Sequence, residues 1–104
     1  MQLPSEFKCA GNTIKVQLVE KTYNNNYGNW CDVTNTITIA KTIELEDKTV
    51  VELTEDQITN TFWHELIHCF QFYFDNGYNE AQSQVYANFL CEYFKSTTSD
   101  DEFA

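Results

Sequence analysis

The chain has 104 residues, enough for one domain with a single modest core and too few for two. Eight Phe, six Tyr and two Trp supply the apolar area such a core needs, which excludes a disordered chain. The formal net charge is −10, and Lys95 is the only Lys or Arg after residue 50, a balance that repels phosphate backbones and argues against a nucleic-acid partner.

The start, "MQLPSEFKCAGN", carries neither a basic segment nor an apolar one, and no long apolar run follows. No membrane association and a cytoplasmic location are therefore expected, with Cys9, Cys31, Cys69 and Cys91 as reduced thiols. Their spacing contains no C-x-x-C, so they read as small packing residues and not as a four-cysteine zinc site. In an exported protein a Cys9–Cys31 bridge is the alternative.

"NTIKVQLVEK" alternates Ile14, Val16 and Leu18 with polar neighbours, the pattern of a half-buried strand. "TYNNNYGNW" reads as an Asn-rich loop bounded by Gly28. "NTITIAKTIEL" alternates again through Ile37 and Ile39, then Ile43 and Leu45 after a break near Ala40. "KTVVEL" follows the turn-like "EDK" as another short strand.

At residue 54 the period changes. Thr54 with Gln57 three residues on fits a capping box, and Glu55 and Asp56 sit where the helix dipole favours acids. Ile58, Phe62, Glu65, Cys69 and Phe72 then recur at helical spacing up to a stop at Asn76-Gly77. A second helix starts near Asn79, an N-cap with Gln82 three residues on, and runs to about Lys95. The tail, 96–104, is polar and loose. The expected fold is α+β in one domain spanning 1–104: a small N-terminal sheet of three to four strands, then two helices.

The first helix contains both histidines of the chain, in "TFWHELIHCF". Four residues apart, His64 and His68 share a helix face and can turn ring nitrogens toward one ion, and zinc suits such a pair. Glu65 lies about 100° round the helix, beside a metal water without ligating the ion, which is where a general base belongs. A packed helix carrying two imidazoles is the plain alternative, but it gives no reason for a glutamate at this spacing. With no third histidine, a carboxylate must complete the site, and the downstream candidates are Asp75, Glu80, Glu92 and the tail acids. Glu80 is favoured because a helix folding back after Gly77 aims it at the ion.

"HELIH" followed by "NEAQSQVYANFLCEYF" resembles the gluzincin metallopeptidases, the thermolysin-like group. Over residues 35–94 it looks most like the single-domain minigluzincins and similar small phage or bacterial proteins. The resemblance implies a zincin-like fold with Zn2+ held by His64, His68 and Glu80. It implies Glu65 as the base for attack of zinc-bound water on a peptide or protein substrate. The family often carries an aspartate one turn after the ligand glutamate, directed at a ligand histidine. Here that position is Gln84, a neutral acceptor. Larger relatives draw a transition-state donor from a second domain; Tyr78 and Tyr86 are the nearby candidates here. "NTITIA" is either an edge that pairs substrate backbone or an interior strand. The competing functional reading is a non-catalytic or latent zinc-binding domain, with Asp100, Asp101 or Glu102 reaching the open metal position.

Overall fold

The structure, a computed structural model, describes residues 2–75 and 79–97. It is α+β. Six strands come first: β1 (Glu6–Cys9), β2 (Asn12–Val19), β3 (Gly28–Cys31), β4 (Thr36–Ala40), β5 (Thr42–Glu44) and β6 (Val50–Glu52). Helix α1 (Glu55–Phe70) runs into a π-helical segment, Gln71–Asp75, and helix α2 (Glu80–Thr97) follows. The first four strands form one sheet in the order β1-β2-β4-β3, and β5 pairs with β6 as a separate hairpin.

Register decides which strand meets the helices. β2 and β4 are parallel neighbours, Val16 opposite Ile37 and Leu18 opposite Ile39, and β3 pairs antiparallel on the far side of β4. "NTITIA" is therefore an interior strand, and the edge is β3, part of which reads from sequence as loop. Short polar strands such as "EFKC" and "GNWC" carry too little alternation to announce themselves, and partners in the sheet hold them extended. Cys9 and Cys31 end the two outermost strands, three strand spacings or roughly 14 Å apart, too far for a bridge. All four cysteines are free.

Ile14, Ile37 and Ile39 are fully buried and face Phe62 and Cys69 of α1, with Phe7, Cys9, Trp30, Trp63 and Tyr73 packed around them. Burial and a hydrogen bond with Cys9 push the Cys69 thiol up to about 12, so it stays a protonated packing group. Thr54 caps α1: its hydroxyl accepts from the Gln57 N–H at 3.1 Å, and its own N–H donates to Gln57 Oε1 at 2.7 Å. Asn79 caps α2 without the reciprocal bond: its Oδ1 accepts from the Gln82 N–H at 2.9 Å, and its own N–H donates to Gln71 Oε1 at 3.4 Å.

Phe72, expected on the apolar line of the first helix, is exposed, and Tyr73 packs on the core. Tyr73 is four residues after Cys69 and so continues the buried face that Ile58, Phe62 and Leu66 define. No helix among the described residues is long and apolar enough to cross a membrane.

The Asn-rich segment is held by its own side chains. Asn25 exchanges hydrogen bonds with the Glu44 backbone, at 2.8 and 2.9 Å, and Asn26 donates to Asn29 at 2.7 Å. That anchoring brings β3 tight against α1. A Cβ on Gly28 would lie 2.6 Å from Thr61 Cγ2 and 2.9 Å from the Thr38 carbonyl oxygen. Gly28→Val should therefore destabilise the metal-free protein by about 1–3 kcal/mol through overpacking. Chemical denaturation measures this, and an unchanged midpoint would show that β3 is free to move off the helix.

Candidate metal centre

Two i,i+4 ridges face each other across antiparallel helices. On α1 the ridge is Asn60, His64, His68; on α2, read in the opposite direction, it is Asn88, Gln84, Glu80. At the deepest rung the Glu80 carboxylate reaches both rings, Oε2 at 2.8 Å from His64 Nε2 and Oε1 at 2.8 Å from His68 Nε2. The two Nε2 atoms are 3.1 Å apart. Among the described residues, His64, His68 and Glu80 are the group of ligand atoms that could hold a metal ion.

The far side of each ring fixes its orientation. His64 Nδ1 is 2.8 Å from Gln84 Oε1, so the amide oxygen accepts an Nδ1–H and the Nε2 lone pair turns inward. His68 Nδ1 lies 3.2 Å from Gln71 Oε1 and 3.1 Å from Ser83 Oγ. Gln71 and Ser83 are fully buried. Gln71 also donates to Gln82 Oε1 at 3.0 Å and Ser83 to Gln71 Oε1 at 3.3 Å, so the residue that opens the π-helical segment ties the end of α1 to the start of α2.

The histidines and Glu65 are buried, whereas the Glu80 side chain is 61 % exposed on the open side. Glu65 lines the adjoining cleft with His64, Glu80, Gln84, Asn60, Gln57 and the β3 residue Gly28. The Asn-rich segment adds Asn26, Tyr27 and Asn29 to the walls around the centre.

Of the other sequence candidates, Gln84 reaches His64 as a neutral acceptor. Tyr86 is half-exposed, its hydroxyl accepts from Gln82 Nε2 at 3.4 Å, and it does not line the cleft. Tyr78 and the tail acids Asp100, Asp101 and Glu102 lie outside the described residues, as does the Asp75 side chain. Glu92 is exposed on α2 and is not part of the ligand group. Sequence reasoning misses Gln71, Ser83, Asn60 and Asn88. Their signal is helical register: Asn60 is one turn before His64, Asn88 one turn after Gln84, and Gln71 one turn after His68.

Comparison with protein-family models, curated proteins and solved structures finds no match.

Burial, and then the nearby Glu80 charge, push the Glu65 carboxyl from its ordinary 4.5 up to about 7; His64 opposes the shift. The folded protein thus holds a proton on Glu65 at pH values where the unfolded chain has lost it. Stability of the metal-free protein from this group is complete below about pH 4.5 and is lost as pH rises through about 7. Glu65→Gln should abolish this slope and leave the metal-free variant more stable than wild type by about 3 kcal/mol above pH 7, at about 1.4 kcal/mol per pKa unit. Urea titrations across this pH range check it; parallel wild-type and variant curves would contradict the burial of a titrating Glu65.

Proposed function

We propose that this chain is a zinc-dependent metallopeptidase of the gluzincin type. The observation that carries the reading is the convergence of two inward-facing Nε2 atoms and one carboxylate beside a buried glutamate that is not in the ligand group. Such a donor set without a cation crowds lone pairs and negative charge together. Tetrahedral zinc, with ligands at about 2.0–2.1 Å, spaces its ligand atoms by roughly 3.3 Å; the two Nε2 atoms are 3.1 Å apart, and one atom from each of His64, His68 and Glu80 lies within 4.8 Å of the others, a spread that accommodates such an ion. Two imidazoles and one carboxylate leave a position open, as catalytic zinc sites do.

His64, His68 and Glu80 would hold a zinc ion, which would supply Lewis acidity to water and to a substrate carbonyl. Glu65 takes the proton from the attacking water and returns it to the leaving amine. Gln84, Gln71 and Ser83 hold the Nδ1 edges of His64 and His68, which keeps both Nε2 atoms turned toward Glu80, where they would ligate the ion. The substrate reading draws on β3. Ala40 N–H donates to the Tyr27 carbonyl at 2.9 Å, and in an antiparallel pair the hydrogen-bonded positions alternate. The backbone groups of Gly28 and Trp30 therefore face the free edge, beside Glu65 and Glu80, where an extended peptide can add as a strand.

A purely structural metal site gains nothing from Glu65, whose burial opposes stability at neutral pH. Glu65→Gln should retain zinc and lower cleavage of peptide-library substrates by about 10²–10⁴-fold, whereas Glu80→Ala should lose zinc. Zinc content by elemental analysis and cleavage by mass spectrometry check both. Zinc binding with no cleavage of any peptide would favour the non-catalytic domain, and full activity in Glu65→Gln would refute the mechanism.

A further inference from the structure

Beyond the ligands, the outermost rung of the helix pair is built around one atom. Gln84 Nε2 donates to Asn60 Oδ1 at 3.0 Å and to Asn88 Oδ1 at 2.8 Å, and Asn60 Nδ2 donates to Asn88 Oδ1 at 3.1 Å. The other end of the same amide, Oε1, accepts from His64 Nδ1. We propose that Asn60 and Asn88 are positioning residues for the metal centre: they capture the amino end of Gln84, so that only its oxygen can face His64.

The need for such a lock follows from the chemistry of an amide, which is a donor at one end and an acceptor at the other in nearly the same shape. Turned over, Gln84 would point N–H groups at His64 Nδ1. The ring could then satisfy them only with Nδ1 unprotonated and its proton on Nε2, where a ligand needs a lone pair. The reversed amide would also set its oxygen against the Asn60 and Asn88 oxygens. Both carbonyls must therefore turn before Gln84 can, and the three amides hold one orientation collectively. A carboxylate at position 84 has two equivalent oxygens and needs no lock. The asparagine pair is thus the complement of a neutral residue at this position, and it lies outside the ligand group, Asn60 one helical turn before His64 and Asn88 two turns after Glu80.

The inference rests on the metal-centre reading and not on peptide cleavage, so it is tested with Co2+ as the probe. Only two histidines are present, so the cobalt-loaded protein has at most two exchangeable ring N–H resonances shifted by the ion. Asn60→Leu, and separately Asn88→Leu at an exposed position, should weaken Co2+ binding in chelator competition by about tenfold or more. Each should also speed solvent exchange of one ring N–H resonance while sparing the other. Introduced into Gln84→Glu, the same substitutions should change affinity by no more than about twofold, because the paired effects are coupled through the amide. Unchanged affinity in both single variants, or an equal loss in the Gln and Glu backgrounds, would overturn the positioning role and leave a packing contact. A wild-type protein that takes up no Co2+ would overturn the centre itself. A protein that binds Co2+ with the expected pattern but cleaves nothing would leave this inference standing.

Discussion

The antiparallel apposition of α1 and α2 is the constraint on which the rest of the site depends. Residues four apart on each helix line up rung by rung, so one interhelical contact sets three polar meetings at once: His68 with Glu80, His64 with Gln84, and Asn60 with Asn88. Water-facing polar side chains at these positions would do without a partner helix. Here His64 and His68 are buried, and a buried polar group must be matched. Satisfying them fixes the axial register of α2, and a register slip by one residue would turn Glu80 away from the rings.

Two irregular features serve that register. The π-helical segment opens at Gln71, whose buried amide meets His68 on one side and the first turn of α2 on the other. π-turns recur at functional sites because they re-aim a side chain at modest cost. On the opposite wall, Gly28 admits β3 close to Thr61 and Glu65, closing the cleft from the sheet side. The carboxyl of Glu65 is raised by that enclosure more than by any charge nearby. Enclosure leaves Glu65 open only toward the cleft, so the same packing that costs stability would tune it for the proposed role as base.

Much of this was legible in the residues. Strong periodicity identified β2, β4 and α1, and cap chemistry located the starts of both helices at Thr54 and Asn79. The four-residue spacing of the histidines places both rings on one face, and Asn76-Gly77 in the sequence predicts a stop after which the chain folds back toward Glu80. What escaped was nonlocal. β1 and β3 are short and polar, and only their sheet partners make them strands. Whether "NTITIA" is edge or interior depends on where β3 goes, which alternation cannot reveal. Gln71, Ser83, Asn60 and Asn88 look like ordinary surface polar residues until the second helix is laid against the first. The π-turn carries no sequence mark, and the choice of Tyr73 over Phe72 as the last core residue turns on whether the apolar line is extended by four residues or by three after Cys69.

X-ray absorption at the zinc edge of the zinc-loaded protein reads the ligands themselves. If His64, His68 and Glu80 hold the ion, its first shell is nitrogen and oxygen at about 2.0–2.1 Å, with outer-shell scattering from two imidazole rings and no sulfur. Cys91 lines the same cleft and Cys31 is exposed, so a thiolate site is a real alternative outcome. A sulfur shell at about 2.3 Å, or a spectrum without imidazole scattering, would contradict the assignment of His64, His68 and Glu80 as the metal-binding group.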